Sequence, residues 1–272
     1  MLTLFTFNVI KIAALGSFSF LFAFLAAPYL IRFLYAKQLW RKEVREKALG
    51  GGEVPYFNKF HKDGETRTPR FGGSLIWMSA LALAVVSFAL SKTNVWWLSH
   101  LNFLSRSQTW LPLGTLLMAS AVGFVDDLIQ VVRKPEKGIW RHLWGRQQAY
   151  IAGGMTLRLR ILFMLAIAVV GAWWFYFKLE RSSLHIPGIG DFQLGWWYIA
   201  LFILTMLATY SGGVIDGLDG LSGGTFASMF AAFGLIAFSR AQIDIAALSI
   251  IIAGALLAFL WFNIPPAKFY MG

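Results

Sequence analysis

The sequence predicts an all-α fold, a polytopic transmembrane helical bundle of about seven helices with its N-terminus outside the cytoplasm. Hydrophobic residues make up 58% of the 272 positions and charged residues only 14%, whereas a soluble domain carries about a quarter charged residues. The hydrophobic residues also form long blocks, and the basic residues are concentrated between particular blocks. These observations exclude a soluble domain and indicate an integral membrane protein.

Seven apolar blocks reach or approach the roughly 17–25 residues that a helix needs to cross a bilayer. Because backbone groups in lipid must be hydrogen-bonded within their own segment, each block is expected to be a helix. The sixth block is the shortest. In chain order, we place the helices at 12–35, 72–91, 110–130, 159–178, 195–212, 224–239 and 245–263.

The distribution of the 24 Lys and Arg residues orients these helices. Eighteen of them lie in or beside the loops 36–71 and 131–158 or at Lys268, and six lie elsewhere. Basic loops of membrane proteins remain in the cytoplasm, so both loops are predicted to be cytoplasmic. The net charge of +11 is therefore explained by topology and contact with anionic lipids, with binding of anionic substrates as the open alternative, and no nucleic-acid partner is expected.

Adjacent carboxylates stand at the end of the third helix. Asp126 and Asp127 close the run Gly-Phe-Val-Asp-Asp at the cytoplasmic boundary. Two such groups repel each other and are costly to desolvate, so they are typically paired, metal-bound or functional. The alternative is that both extend into water beside Arg133 and Lys134, which the helix macrodipole disfavours. The chain's other acidic residues, apart from Asp216 and Asp219, lie in loops or at outer helix ends and need no explanation of their own.

A glycine-rich loop precedes the sixth helix. Six of the thirteen residues 212–224 are glycine, and Asp216 and Asp219 lie among them. Such a loop is typical of a backbone that a ligand approaches closely. If the turn is helical, the two carboxylates share one side; the alternative is that each only caps the sixth helix.

Two further segments reach the same face of the membrane. Thr68-Pro69-Arg70 leads through Gly72-Gly73 into the second helix, whose N-terminus suits a bound anion, although a plain entry turn explains it equally well. Asn263 begins the segment that leaves the seventh helix. Carboxylates, glycine-lined loops and basic residues on one face suit a Mg²⁺-pyrophosphate substrate, with the bilayer supplying a lipid co-substrate.

In this order, the four blocks resemble the polyprenyl-phosphate N-acetylhexosamine-1-phosphate transferase family. Residues 123–127 look like its G-F-x-D-D motif, residues 216–221 are similar to its N-x-x-D-G-L-D-G-L loop, and residues 263–267 match N-x-x-P-A. His61-Lys62 followed by Thr68-Pro69 looks most like the branch that transfers phospho-N-acetylmuramoyl-pentapeptide for peptidoglycan synthesis.

The resemblance implies that undecaprenyl phosphate attacks a UDP-linked N-acetylhexosamine at the cytoplasmic face of the bacterial plasma membrane. UMP is released and a lipid-linked pyrophosphate sugar forms. The resemblance implies Mg²⁺ as cofactor, makes Asp126 and Asp127 the catalytic and metal-binding residues, and allows a homodimer. The implied substrate-binding residues are Lys62, Thr68, Arg70, Asp216, Asp219, Asn263 and Tyr270, with the Tyr270 ring stacked on uracil.

The sequence departs from the family pattern in three places. Gly213 replaces the Asn that heads the glycine loop, and Arg70-Phe71 replaces a Thr-Met pair, which leans toward the sibling N-acetylglucosamine-1-phosphate transferases. The sequence also stops at Gly272, inside a motif that continues in the family with a metal-binding acid. We therefore expect one integral-membrane domain over 1–272 that is incomplete at its C-terminus, and no turnover by this chain alone.

Two alternatives remain open. The CDP-alcohol phosphotransferases also contain D-x-x-D-G, but they continue with two further spaced aspartates. An ion-coupled transporter would use the aspartates as a cation site, although such carboxylates usually lie near the bilayer midplane. Release of UMP from a UDP-sugar separates the transferase from both.

Overall fold

The computed structural model of the chain describes residues 4–40, 67–105, 107–131, 155, 157–186, 188–211 and 219–271. Within these ranges the chain is mainly helical, with one short hairpin. The helices are α1 Leu4–Ala36, α2 Ser74–Leu90, α3 Trp96–Ser99, α4 Ser107–Val131, α5 Leu157–Trp173, α6 Trp197–Ser211, α7 Leu221–Ser239 and α8 Ile243–Asn263. A π-helical turn, Trp174–Lys178, extends α5, and strands β1 Ser183–Ile186 and β2 Gly190–Gln193 pair antiparallel.

The predicted all-α membrane bundle is confirmed. Among the described residues, five helices are long and apolar enough to cross a membrane, namely α1, α4, α5 with its π turn, α7 and α8. The two shorter apolar helices, α2 and α6, coincide with the second and fifth predicted blocks. Each of the seven apolar blocks therefore forms a helix, because lipid leaves the backbone no other way to satisfy its hydrogen bonds locally.

The predicted start of the first helix is wrong. The helix begins at Leu4, eight positions before the predicted residue 12, and therefore includes Lys11. Lys11 is 6% exposed, and its ammonium pairs with Asp244 at 3.3 Å. The helix can therefore continue through this charge.

Helix α8 forms the centre of the bundle, packed against α1, α2, α4 and α7. Its crossing with α1 is close: a Cβ added to Gly254 would lie 2.4 Å from the Gly16 carbonyl oxygen. Ser19 Oγ also donates a 2.7 Å hydrogen bond to the Ile251 carbonyl. Small residues and such bonds allow helix backbones to approach in a membrane, where no hydrophobic force drives them together.

The periphery of the bundle is apolar and exposed. None of the described residues of α6 is buried, and α6 packs on α5, where Gly171 accommodates Phe202. Exposed apolar side chains on such helices are suited to contact lipid. The hairpin and the single turn α3 were not predicted, because four-residue elements leave no periodic signal.

Candidate active site

The Thr-Pro turn before α2 has an unusual backbone. Phe71 adopts φ 73°, a left-handed conformation that is rare for a bulky residue and typical of constrained functional segments. Its ring is buried and lies edge-on against Phe124, with centroids 5.1 Å apart. The Arg70 N–H donates to the Leu39 carbonyl at 3.0 Å, and Ser74 Oγ donates to the Phe71 carbonyl at 2.6 Å. The turn is therefore held at both ends.

Backbone hydrogen bonds join this turn to the segment after α8. Tyr270 N donates to Pro69 O at 2.9 Å, Gly72 N donates to Tyr270 O at 2.8 Å, and Gly73 N donates to Met271 O at 2.6 Å. A Cβ on Gly72 would lie 2.5 Å from Tyr270 O, and one on Gly73 would lie 2.8 Å from Met271 O. Glycine is therefore needed at both positions, and the first and last of the four motif blocks lie side by side.

Arg70 reaches from the turn to the aspartate pair. Its Nε lies 2.9 Å from Asp127 Oδ1, and the two side chains are only 12% and 6% exposed. A charge-assisted hydrogen bond of this kind is stronger than a neutral one and fixes the orientation of the carboxylate. Arg70, predicted as a substrate ligand, thus contacts the predicted catalytic residue.

Asp126 is held by groups from two helices and a loop. Its Oδ1 accepts the Met155 N–H at 2.7 Å, and its Oδ2 accepts Gln130 Nε2 at 2.8 Å. Arg160 Nη2 lies 2.9 Å from Oδ2, as an ion pair that is not aligned as a hydrogen bond. The sequence reasoning did not find Arg160, Gln130 or Met155. The only feature of the sequence that could have indicated one of them is that Arg160 is a basic residue in the first turn of α5.

The alternative in which both carboxylates extend into water is wrong. Asp127 is 4% exposed, the Asp126 side chain is 14% exposed, and each is paired with an arginine. The third helix continues to Val131, so both aspartates lie inside it and pack against α5 and the Thr-Pro turn. Arg133 and Lys134 lie outside the described residues.

The glycine loop meets the end of α8 at Asn263. Gly220, with φ +80°, is the N-cap of α7, so Asp219 does not occupy the capping position that one alternative gave it. The Gly220 N–H donates to Asn263 Oδ1 at 2.9 Å, and Asn263 Nδ2 donates to the Phe269 carbonyl at 2.9 Å. Tyr270 follows directly, half-buried. The third and fourth blocks are therefore in contact.

The four blocks form one connected cluster at a single end of the bundle, which we call the site end. Thr68 is buried in the turn, although no described contact joins it to either aspartate. Asp219 and Tyr270 directly adjoin Gly220 and Phe269, the two hydrogen-bond partners of Asn263. The predicted site residues Lys62 and Asp216, and also His61 and Gly213, lie outside the described residues.

The donor atoms at the site end suit a hard cation. In the described part of the chain, no three His, Asp or Glu side chains come together as metal ligands. Mg²⁺, however, usually takes only one or two carboxylates and completes its shell with substrate phosphate and water. Asp126 and Asp127 supply such carboxylates, each shared with an arginine, so the residues present fit Mg²⁺ bound together with a phosphate substrate.

Known proteins are similar to this chain over a region that includes these blocks. Residues 109–272 match the family model described as glycosyl transferase family 4. The chain is 33% identical over 265 residues to the phospho-N-acetylmuramoyl-pentapeptide-transferase of Levilactobacillus brevis, covering 97% of this chain and 70% of that protein. The protein of the same name from Geobacillus thermodenitrificans is 34% identical over 261 residues, covering 93% of this chain and 67% of the relative.

A third relative of that name, from Listeria innocua, is 34% identical over 217 residues, which is 79% of this chain and 58% of the relative. The chain thus spans between 58% and 70% of the lengths of these relatives. The resemblance inferred from the motifs is confirmed. Because the family match covers more than half of the sequence and contains the Asp pair, the glycine loop and the Asn-Pro-Pro segment, the chain belongs to glycosyl transferase family 4.

Proposed function

We propose that this protein transfers phospho-N-acetylmuramoyl-pentapeptide from its UDP-linked donor to undecaprenyl phosphate. UMP leaves, and the product is the lipid-linked pyrophosphate sugar that peptidoglycan synthesis consumes. The observation that carries the proposal is the meeting of all four motif blocks at the site end. The names of the relatives support the same reaction. Family membership favours this transferase over the transporter and the CDP-alcohol phosphotransferase.

The reaction needs positioning and charge neutralisation more than base catalysis. A phosphate monoester has a second pKa of about 6, so the lipid phosphate is already largely dianionic at neutral pH. The protein must therefore bring two anions together in line and offset their repulsion. Mg²⁺, when bound, supplies positive charge to the pyrophosphate, and Asp126 and Asp127 are the residues that would hold it.

The arginine partners define what the aspartate pair can do. Adjacent carboxylates repel each other in a poorly solvated site. Arg160 offsets this for Asp126 and Arg70 does so for Asp127, at 2.9 Å in both cases. Both carboxylates are thereby held in defined orientations at the end of α4, where they would hold Mg²⁺ and so offset the charge of the attacking lipid phosphate.

The donor is proposed to bind on the other side of the cluster. Asp219, Asp216 and Tyr270 would surround the uridine, with the Tyr270 ring stacked on the base, and Asn263 would hold the segments that carry Asp219 and Tyr270. Thr68 and Lys62 would contact the phosphates near the N-terminus of α2, where backbone N–H groups and the helix dipole favour an anion. Arg70 would act mainly through Asp127.

The proposed location is the bacterial plasma membrane, with the site end in the cytoplasm and the N-terminus outside. The charge distribution supports this orientation. The apolar periphery supports a multi-pass protein surrounded by lipid, as one integral-membrane domain. A homodimer is part of the proposal and rests on the family alone.

One observation favours a second donor. Arg70-Phe71 replaces the Thr-Met pair of the pentapeptide branch, and Arg70 is engaged with Asp127, so a UDP-N-acetylglucosamine donor is the second candidate. Both donors are tested in one experiment. The protein, as its source encodes it, is placed in vesicles that contain undecaprenyl phosphate and Mg²⁺, and UMP release is measured with each UDP-sugar separately.

Faster UMP release with UDP-N-acetylmuramoyl-pentapeptide is the expected result, and it should require both the lipid phosphate and Mg²⁺. Preference for UDP-N-acetylglucosamine would move the protein to the sibling branch. An absence of UMP release with both donors would contradict the proposal. For the 272-residue chain alone, an absence of turnover stays a prediction, and the same assay measures it.

A further inference from the structure

Both ends of the Asn263 carboxamide form hydrogen bonds with the protein's own backbone. It is 3% exposed, its oxygen accepts the Gly220 N–H, and its nitrogen donates to the Phe269 carbonyl, both at 2.9 Å. Gly220 is a donor and Phe269 O is an acceptor, so their chemistry determines which way the amide points. An aspartate keeps only the acceptor, and an aliphatic side chain keeps neither.

Each partner of Asn263 stands next to a residue proposed to bind the donor. Gly220 directly follows Asp219, and Phe269 directly precedes Tyr270. Phe269 is fully buried against Phe259, with ring centroids 5.2 Å apart, so the bond from Asn263 acts on a segment that is already anchored. The two bonds therefore connect the glycine loop to the C-terminal segment through one side chain.

The connection continues to the aspartate pair. Tyr270 is hydrogen-bonded through its backbone to Pro69 and Gly72, and Arg70 of the same turn holds Asp127. Asn263 is thus the described link between the half of the site that carries Asp219 and the half that carries Asp127. The packing of α7 on α8 also contributes, since Gly223 lies close to Phe259.

We propose that Asn263 is a positioning residue, which acts on the donor through Asp219 and Tyr270 and makes no contact with the donor itself. The inference rests on the proposed function and deepens it. A ligand-contacting asparagine needs at least one end of its amide directed at the ligand. Here both ends are hydrogen-bonded to backbone groups of the protein itself, one half-buried at Gly220 and one buried at Phe269.

The test separates the two ends of the amide. UMP binding is measured by calorimetry with Mg²⁺ present, for Asn263→Asp in the wild-type background and in a Tyr270→Ala background. Asn263→Asp retains the acceptor for Gly220 and places an oxygen against the Phe269 carbonyl. It should weaken UMP binding about tenfold in the wild type, the loss expected for about one hydrogen bond, and less than about twofold once the Tyr270 ring is absent.

A second measurement does not depend on nucleotide affinity. Hydrogen–deuterium exchange of the peptides around 219–223 and 268–271 should accelerate at both places in Asn263→Ala, and only at 268–271 in Asn263→Asp. The matched control is Ser19→Ala, which removes another buried side-chain bond to the backbone next to α8. It should leave UMP binding and both peptides unchanged.

The outcomes distinguish the two proposals. An equal loss of UMP affinity in both backgrounds would mean that Asn263 contacts the nucleotide, and the inference would fail while the function stands. Unchanged exchange at 219–223 in Asn263→Ala would also overturn it. If the wild-type protein binds no UMP at all, the proposed function fails first.

Discussion

At the scale of single residues, the aspartate pair is the most direct test of the site. In the protein as its source encodes it, Asp126→Asn or Asp127→Asn should lower UMP release by orders of magnitude, because a metal ligand or positioning group can contribute several kcal/mol. The thermal transition in detergent should remain cooperative.

A matched control for the pair is Asp191→Asn in the hairpin. Asp191 is 73% exposed and pairs with His185 at 2.8 Å, in the hairpin between α5 and α6. Its loss should leave turnover within about twofold, since exposed pairs contribute little. Turnover like that of the wild type in both Asp126→Asn and Asp127→Asn would reduce the pair to a structural role.

Arg160 is predicted to be coupled to Asp126. Arg160→Met removes the charge but retains much of the side-chain volume, and it should destabilise the protein by roughly 1–3 kcal/mol because a buried carboxylate loses a partner. Arg160→Met combined with Asp126→Asn should recover part of that loss. Thermal unfolding of the four proteins of this cycle checks the coupling, and strictly additive losses would show that the pair does not interact.

At the scale of elements, the contact between the Thr-Pro turn and the C-terminal segment depends on Gly72. In Gly72→Ala, the new Cβ would lie 2.0 Å from Phe269 Cδ2 and 2.5 Å from Tyr270 O. The turn must therefore move away from the segment, and both UMP binding and turnover should fall at least tenfold. Calorimetry and UMP release measure the two losses.

Gly114→Ala is the control for that substitution. Nothing lies within 4 Å of a Cβ at Gly114, which is in α4, so the new methyl group meets open space and helix propensity improves slightly. Activity should be retained. If Gly72→Ala were equally active, the close approach of the two segments would not matter for the site.

The elements also show how far sequence reasoning reaches. The seven apolar helices were predictable, because length and hydrophobicity alone decide whether a segment crosses a bilayer. The site end was predictable as well, since polar residues at helix ends have to lie on one face or the other. The side chains that contact the aspartates could not be predicted. Topology places Asp126 at a membrane boundary, but only the packing of α4 on α5 brings Arg160 to it.

Lys11 is a second residue whose contact could not be predicted from the sequence. A lysine near the start of an apolar block looks like a flanking residue, and Asp244 looked like an outer helix end with no special role. Only the packing of α1 on α8 reveals that they meet. Lys11 and Asp244 are 233 positions apart in the chain, so no local sequence pattern predicts this pair.

At the scale of the whole molecule, the orientation in the membrane is a separate prediction. Reporter fusions after Arg146 and after Ser222 should both report a cytoplasmic position, because the described residues next to these loops, Arg70, Met155 and Gly220, all lie at the site end. A fusion after Thr93, between α2 and α3, should report the opposite side. A periplasmic signal after Arg146 or Ser222 would contradict the proposed location of the site.

The buried pair of Lys11 and Asp244 has a consequence for how the protein is assembled. Lys11 also donates to the Asn102 carbonyl at 2.8 Å, and Ser105 donates to the second oxygen of Asp244 at 2.5 Å. Helix α1 is synthesised first and α8 follows more than two hundred residues later, so the ammonium of Lys11 lacks its Asp244 partner while the intervening helices are made. The early chain therefore carries an uncompensated charge, which is costly in lipid.

Asp244→Asn should accordingly impair membrane insertion more than it impairs the finished fold. Pulse-labelled protein is expected to show slower protection of α1 from externally added protease and faster degradation, while Lys11→Met with Asp244→Asn should restore normal maturation because neither charge is left alone. Normal maturation of Asp244→Asn by itself would count against this. Completion of α8 would then be the event that commits α1 to the membrane, so that stable insertion of the first helix depends on synthesis of the last described helix.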